Sequence, residues 1–318
     1  MSWLARRLLS GLGTVLLISV LVFLAIRLLP SDPARVILGP GAPEASLHTL
    51  REQLGLHLPL WQQYLQWLAA ALRGDLGLSL DSQVAVTQLL DQRFANSLAL
   101  LSLVALCNLL LAVGLGTLLA LYRDRWVDRL TLPVLVMFKS LPGFVLAIAL
   151  IMLFATSLFT WLPAVSLLDP ERSAFAQGRY LVLPVAALVL ASAPYLIRLV
   201  RAAMIEALHS DYVAAARLRG LQPWRLVLGH ALPNATLPLI QGLALTLSVF
   251  FSSTLLVEIA FTFPGVGSLL NDAIRLRDVP VIQAAVSAIA AFVVLVNLLA
   301  DLLATLCIAT LRTQRLQP

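Results

Sequence analysis

Six long apolar runs with almost no charge dominate this sequence, and each is close to or above the length of about 18 residues that a helix needs to cross a membrane. The runs cover residues 8–29, 98–121, 140–168, 180–197, 231–257 and 279–300. Only 12% of the residues are charged, against about a quarter in an ordinary soluble domain. The sequence therefore predicts an all-α polytopic membrane protein with six transmembrane helices and excludes a soluble globule. A β-barrel would instead show short alternating segments.

The first run follows Arg6 and Arg7, an arrangement that is also found in signal peptides. It continues into the sequence LLPSDPARV without a small-x-small cleavage pattern. We therefore predict an uncleaved first span, with a cleaved signal peptide as the alternative.

Arginines in the short loops predict the orientation, because cytoplasmic loops carry an excess of basic residues. With the N-terminus in the cytoplasm, twelve arginines fall in cytoplasmic segments: Arg6, Arg7, Arg123, Arg125, Arg129, Arg198, Arg201, Arg217, Arg219, Arg225, Arg312 and Arg315. The short external loops then hold Arg172, Arg179, Arg275 and Arg277. Both termini are therefore expected in the cytoplasm.

Two hydrophilic segments interrupt the pattern of spans. Between the first two spans, SLHTLREQLG and PLWQQYLQWLAAALRG both show helical periodicity with apolar faces, which predicts a small external helical subdomain. In the second segment, about 198–236, strong helix formers precede Gly220 and Pro223, so we expect a short helix, a stop at the glycine and a second helix.

The predicted organisation has four parts. They are an N-terminal transmembrane helix over 1–29, the external subdomain over 30–96, a permease core with five transmembrane helices over 97–311, and a cytoplasmic tail over 312–318. Prolines set the expected limits of two core spans: Pro142 starts or kinks the third span, Pro163 marks its exit, and the fifth span begins near Leu237.

The second hydrophilic segment carries the most specific motif. It reads MIEALHSDYVAAARLRGLQPWRLVLGHALPNATLPLI from Met204 to Ile240. This resembles the cytoplasmic loop of ABC importer permeases, E-A-A, three residues, G, nine residues, I-x-L-P, with Ala214 in place of the glutamate and His230 in place of the isoleucine. The dipeptide/oligopeptide/nickel branch of that family has its own form, D-Y-V-x-x-A-R-x-[KR]-G-L followed by H-A-L-x-N-A, and this chain is similar to that form.

Other segments resemble the same branch, so the resemblance covers nearly the whole chain. LLPSDPA resembles the branch's P-G-D-P-A exit from the first span, with Ser31 in place of glycine. LREQLGLHLPLWQQYLQWL resembles L-R-x-x-L-G-L-D-x-P-L-x-x-Q-Y, with His57 in place of the aspartate. VEIAFTFPGVGSLLNDAIRLRDVPVIQ and NLLADLL are also similar to the branch, whereas the C-terminal tail departs from it.

The resemblance implies the fold of type I ABC importer permeases and a transport subunit of the bacterial inner membrane, with no enzymatic activity of its own. The implied partners are a second homologous permease subunit, two ATP-binding cassette ATPase subunits and an external substrate-binding protein. ATP and Mg²⁺ would bind to the ATPase subunits, and this chain would hold no cofactor. The cargo would be a short peptide or a metal chelate, and the motif ARLRGL favours the nickel or metallophore type. An ATP-independent channel or carrier is the alternative function.

The resemblance also implies the residues that couple the permease to the ATPase: Glu206, Asp211, Tyr212, Ala215, Ala216, Arg217, Arg219 and Gly220. Apart from the family, a chain that is driven by a separate ATPase needs a rigid element outside the membrane, and a short helix supplies one. Gly220 is expected to provide a left-handed or close-approach turn at its end. For Arg217 and Arg219, pairing with partner carboxylates and simple solvation are both open.

Ionisable side chains inside a span cost about 2.5 to 3.5 kcal/mol on insertion scales and are therefore functional candidates. Arg27, Lys139, Glu258 and Asp301 are such side chains. The two basic ones can extend to the membrane interface. Glu258 is expected at the external end of span five, next to FTFPGVG, and Asp301 near the cytoplasmic end of span six. The candidates for a gate or pore are Glu258, Pro264, Gly265 and Asp301, with a structural role as the alternative for both acids.

Several other functions are excluded or disfavoured by the sequence. Lys139 is the only lysine and does not follow the glycines of a phosphate-binding loop. Cys107 and Cys307 lie in apolar runs, so no metal site is expected. Basic residues are scattered over short loops, which favours membrane lipid and not nucleic acid as the partner. The sequence lacks the motifs of a membrane-embedded hydrolase, such as H-E-x-x-H and G-x-S-x-G.

Overall fold

The computed structural model describes residues 3–28, 33–39, 41–53, 55–156 and 159–307, and this part of the chain is mostly α-helical. The predicted tail over 312–318 and part of the LLPSDPA motif lie outside the described residues. The helices are α1 (Trp3–Leu28), α2 (Pro33–Leu38), α3 (Glu44–Gln53), α4 (Leu60–Ala71), α5 (Val86–Leu121), α6 (Trp126–Ser140), α7 (Gly143–Ile151), α8 (Gly178–Leu208), α9 (Asp211–Leu218), α10 (Pro223–Leu226), α11 (Leu232–Ala260), α12 (Val266–Leu276) and α13 (Val279–Cys307).

Five helical stretches of the described residues are long and apolar enough to cross a membrane: Ala5–Arg27, Val86–Leu121, Ala174–Leu208, Pro223–Val249 and Val279–Cys307. The bent pair α6 and α7 supplies a sixth crossing when it is counted as one broken span. The predicted all-α polytopic fold is confirmed, and its third span corresponds to this broken pair.

The third span bends by 100° between α6 and α7. Leu141 has extended backbone angles there, φ −88° and ψ 132°, because the ring of the following Pro142 excludes the helical conformation at the residue before it. The break at Pro142 therefore agrees with the prediction.

The expected exit of this span at Pro163 is wrong. The helical path already ends at Thr156, in a π-helical turn that follows α7. Beyond it, the backbone N–H of Phe159 donates to the carbonyl of Leu153 at 2.9 Å, so the chain folds back on the helix end. The ring of Phe159 lies 4.5 Å from that of Trp161, centroid to centroid. Aromatic residues packed beyond the helix end are as apolar as a span, which explains the overestimate.

Two other spans extend beyond their predicted limits. α8 continues to Leu208, past the expected end at residue 197. α11 begins at Leu232 and not near Leu237, and α10 and a π-helical turn, Val227–Ala231, lead into it. Pro233 is the second residue of α11, directly after the π-helical turn, and it does not delay the helix.

The chain forms two compact units, of which the first comprises Met1–Ser97 and Pro264–Val294. Residues 264–294 were predicted to belong to the permease core, but they pack here with the N-terminal part of the chain. Both helices predicted between the first two spans are present as α3 and α4. α4 packs on α1 through Tyr64, whose hydroxyl lies 2.7 Å from that of Ser19 and whose ring meets Phe23 edge to face.

The second unit comprises Leu98–Phe263 and Leu295–Pro318, described to Cys307. α8 lies at its centre and contacts α6, α7 and α11. α5 approaches α8 closely at Gly116, where a Cβ atom would lie 2.8 Å from Cβ of Val200. Asn108 of α5, fully buried, donates to the Ser192 hydroxyl of α8 at 2.9 Å. Small residues and buried amide groups of this kind hold membrane helices together.

Candidate functional site

The predicted coupling segment folds as the short helix α9. Ser210 precedes it with extended angles, φ −73° and ψ 151°, and the Ser210 hydroxyl donates to the carbonyl of Ala207 in α8. Val213 and Ala216 are buried against Leu226 of α10. One face of α9 is therefore fixed to the rest of the unit, and Ala216, predicted as a coupling residue, packs inward.

The opposite face of α9 is exposed and partly apolar. Asp211, Ala215 and Leu218 follow one another at helical spacing along it, and all three are exposed. Leu218 is 90% exposed, and Trp224 of α10 is 56% exposed. These exposed apolar groups make this face of α9 the candidate for contact with a partner. Our sequence reasoning missed Leu218, although a leucine between Arg217 and Arg219 was a visible signal.

Gly220 ends the segment in a left-handed conformation with φ +78°. Its N–H donates to the carbonyl of Arg217 at 3.0 Å, which closes the turn after α9. A Cβ atom at this position would meet no other atom within 4 Å. We expected glycine here for either a left-handed backbone or a close approach to a neighbour, and the structure shows the left-handed backbone.

Tyr212 fixes the start of α9 to the beginning of α11. Its hydroxyl donates to the carbonyl of His230 at 3.2 Å. The side-chain amide of Asn234 donates to the Tyr212 hydroxyl at 2.5 Å and to the same His230 carbonyl at 2.7 Å. All three residues belong to the motif that carried the resemblance, but only the structure shows that they contact one another.

The four charged members of the predicted coupling set, Glu206, Asp211, Arg217 and Arg219, are all exposed. Glu206 lies in the last turn of α8, where its carbonyl accepts the N–H of His209 at 3.2 Å. The guanidinium of the neighbouring Arg225 lies 5.1 Å from the ring centre of Trp224. With Arg225, which is also exposed, the segment carries three arginines and two acidic residues around its exposed apolar groups.

A buried ion pair joins α6 to α8, and sequence reasoning missed it. Arg201 donates to both carboxylate oxygens of Asp128, at 2.6 and 2.7 Å. The carboxylate side chain is 2% exposed, and it also accepts the backbone N–H of Asp124 at 3.0 Å. A bidentate arrangement with a further hydrogen bond is what a buried charge requires.

The candidate gate residues belong to both units. In the second unit, Glu258 is 1% exposed near the end of α11, and Asp301 is half-buried in α13. In the first unit, the carbonyl of Pro264 accepts the side-chain amide of Asn96 at 2.9 Å, and Gly265 immediately precedes α12. Their role in gating stays a prediction.

A pocket of about 450 Å³ lies at the break between α6 and α7. Its polar lining comes from Lys139, Ser140, Ser192, Tyr195 and Thr246. Lys139 is the one basic residue among its lining residues, and none of them is acidic, so the pocket offers a single positive charge to any solute.

The apolar helices of the described residues, five of which are long enough to cross a membrane, define the class: a multi-pass helical membrane protein. The chain belongs to the family of binding-protein-dependent transport system inner membrane components, which it matches over residues 112–313. Residues 1–101 match the N-terminal membrane component of the same transport systems.

Individual relatives align with nearly the full length of the chain. The glutathione transport system permease protein GsiC of Escherichia coli O6:H1 is 35% identical over 303 residues, which is 95% of this chain and 96% of that protein. A probable peptide ABC transporter permease protein, y4tP, of Sinorhizobium fredii is 34% identical over 304 residues, 96% of this chain and 97% of that protein. These matches confirm the ABC importer permease that the motifs indicated.

The chain is therefore a transport component and not an enzyme, and it works with other components of an ABC system. It is a multi-pass protein of the bacterial inner membrane.

Proposed function

We propose that this permease imports short peptides such as glutathione, as one half of a pore whose other half is a second, homologous permease subunit. The relatives named for glutathione and for peptides support this cargo, because each aligns with at least 95% of the chain. A nickel or metallophore cargo, which the sequence motif favoured, has no such support and is the second choice.

The energy comes from two ATPase subunits, which bind ATP and Mg²⁺ and dock on the exposed face of α9. The attachment of α9 is the observation that carries this proposal. Its start is tied to α8 through the hydrogen bond from Ser210 to Ala207 and to α11 through the hydrogen bond from Asn234 to Tyr212. A movement of α9 with the ATPase therefore displaces two spans together. That is the requirement for alternating access.

In this mechanism Asp211, Ala215 and Leu218 contact the ATPase, and Arg217, Arg219 and Glu206 lie around that contact. Arg217 and Arg219 favour a surface on the ATPase that carries carboxylates. Gly220 sets the direction in which the chain leaves the contact. Both termini lie in the cytoplasm, on the same side as α9, in accordance with the arginine distribution.

Selection of the cargo is assigned to the external substrate-binding protein, which docks on the 30–96 segment and on the 262–280 loop. A zwitterionic peptide needs compensation for both termini when it leaves water, and the pocket at the α6–α7 break offers one charged residue, Lys139. We expect the permease and ATPase alone to bind substrate no tighter than about 0.1 mM, which corresponds to roughly 5.5 kcal/mol. Micromolar, stereospecific binding in a titration would contradict this part of the proposal.

Uptake measurements test the cargo. Cells that lack this chain should lose uptake of labelled dialanine or glutathione, and the wild-type chain should restore it. A catalytically inactive ATPase subunit should abolish the restored uptake. If deletion removes nickel uptake and leaves peptide uptake intact, the peptide assignment is wrong. Uptake that persists with the inactive ATPase would favour the ATP-independent carrier.

A further inference from the structure

A second pocket, of about 690 Å³, lies entirely within the first unit. It is formed by the C-terminal end of α1, by α4, by residues 75–83 and by the start of α13. Much of its wall is apolar, with Phe23, Leu76 and Val279 among the lining residues. The function proposed above assigns no ligand to this pocket.

Four polar side chains that line this pocket each have a buried atom without a hydrogen-bond partner among the described residues. The atoms are Nε of Arg27, Nε1 of Trp67, Nε2 of Gln283 and Oε1 of Gln63. Gln283 is 3% exposed and Gln63 is 9% exposed, so both side chains are almost completely buried. Buried polar groups are nearly always paired, and several unpaired ones around a single pocket therefore indicate a ligand.

Neighbouring contacts hold these groups in place. The side-chain amide of Gln63 donates to the carbonyl of Leu58 at 2.8 Å, and its oxygen has no partner among the described residues. The guanidinium of Arg27 lies 5.3 Å from the ring centre of Phe23, and the rings of Tyr64 and Trp67 are 6.0 Å apart. The polar atoms therefore form a preorganised set that packing has fixed.

The unpaired groups define the chemistry of the ligand. Three are N–H donors and one of these carries the positive charge of Arg27, which fits an anion with several oxygen atoms, as in a phosphate. The Oε1 atom of Gln63 needs a donor in return. The carboxylate of Asp75, which also lines the pocket, accepts the N–H of Gly77 at 2.9 Å and is a second acceptor. A phosphate with a neighbouring ammonium or hydroxyl group satisfies both kinds of partner.

The position of the pocket indicates where such a phosphate is found. Arg27 closes the apolar stretch Ala5–Arg27, so it lies where a membrane-spanning helix meets the headgroup layer. Tryptophan is enriched at the same level, with its ring in the apolar layer and its N–H toward the headgroups. The apolar wall next to the donors fits an acyl chain.

We propose that this pocket binds a phosphate headgroup that carries a hydrogen-bond donor, as phosphatidylethanolamine and phosphatidylglycerol do. Arg27, Trp67 and Gln283 hold the phosphate, and Gln63 accepts from the ammonium or hydroxyl group. A free phosphate ester offers the same chemistry without an acyl chain, and the experiment separates the two sources.

Thermal unfolding of the purified full chain in detergent tests the proposal, because a ligand of the folded state raises Tm as its concentration increases. Four additions are compared: phosphatidylethanolamine, phosphatidylglycerol, phosphatidylcholine and sn-glycerol 3-phosphate. We expect the first two to raise Tm and phosphatidylcholine, whose headgroup has no donor, to raise it less. A rise with sn-glycerol 3-phosphate alone would identify a free phosphate ester as the source. No rise with any phosphate compound overturns the proposal.

Variants show whether the effect arises in this pocket. Arg27→Gln should weaken binding about tenfold, since it removes a charge-assisted contact, and Trp67→Phe about fivefold, since it removes a single N–H and keeps the ring. Arg73→Gln is the matched control, because Arg73 is exposed and is not among the pocket residues. If Arg27→Gln fails to fold, the binding measured for Trp67→Phe still tests whether the ligand occupies this pocket. Equal binding by Trp67→Phe, Arg73→Gln and the wild type overturns the site.

Discussion

Replacing Gly220 with valine should uncouple transport from ATP hydrolysis without disturbing membrane insertion. The backbone at Gly220 is left-handed, with φ +78°, and this conformation costs an ordinary residue about 1 to 2 kcal/mol and a β-branched residue more. A side chain there would meet no neighbour within 4 Å. The effect of the substitution is therefore a backbone effect.

The size of this strain can be compared with the contacts that hold α9. Full burial of one valine side chain stabilises by about 1.5 to 3 kcal/mol, and Val213, at 0% exposure, is the largest fully buried group of α9. A backbone strain of about 2 kcal/mol at residue 220 thus offsets most of the stabilisation from the burial of Val213. Every 1.4 kcal/mol changes the ratio between the native and the displaced position of α9 tenfold. We expect Gly220→Val to lower peptide uptake per molecule about tenfold or more.

The assay is peptide uptake and ATPase activity of the reconstituted transporter, normalised to the amount of inserted permease. Gly220→Asn should keep most of the activity, because asparagine tolerates the left-handed conformation. Gly178→Val is the control, since Gly178 has φ −49° and an added Cβ there also meets nothing. Normal uptake by Gly220→Val at wild-type protein levels, or equal losses for valine and asparagine, would refute the reasoning.

Three further predictions concern the second unit and the orientation. Asp128→Asn should lower the amount of folded protein, because leaving Arg201 without its buried charged partner costs about 3 to 5 kcal/mol. The double variant Asp128→Leu, Arg201→Met should restore the amount of folded protein. An unchanged amount in Asp128→Asn would contradict this role of the ion pair. Tyr212→Phe removes the hydroxyl that joins α9 to α11 and should reduce uptake severalfold at an unchanged protein level, with uptake per molecule as the measurement. Alkaline phosphatase fused after Ser82 should be active and after Arg219 inactive, and the reverse would overturn the proposed topology.

The spans were predictable from the sequence because a helix in lipid must satisfy every backbone group internally. The break at Pro142 was predictable for a local reason, the effect of its ring on Leu141. The exit at Thr156 was not, since it depends on aromatic residues that pack beyond the helix and are as apolar as a span. Local composition therefore defines the helices but not where each one ends.

The candidate site also combines features that local sequence predicts with features that depend on tertiary packing. The motif identified the helix and its glycine stop, because both follow from local propensity and from the resemblance. The contact between Tyr212 and His230, 18 residues apart, and the ion pair between Asp128 and Arg201, 73 residues apart, needed the structure. Which face of α9 is free also depends on tertiary packing, since Val213 is buried and Leu218 is not.

Disulfide cross-linking along α9 tests the central claim, that its exposed face docks on an ATPase subunit. Single cysteines are placed in a chain whose two native cysteines are replaced by alanine, and each is paired with a cysteine on the ATPase. Cross-links should form from Ala215→Cys and Leu218→Cys, which are exposed, and not from Val213→Cys or Ala216→Cys, which are buried. Cross-linking without preference for a face, or none from the exposed positions in an assembled and active transporter, would contradict the account.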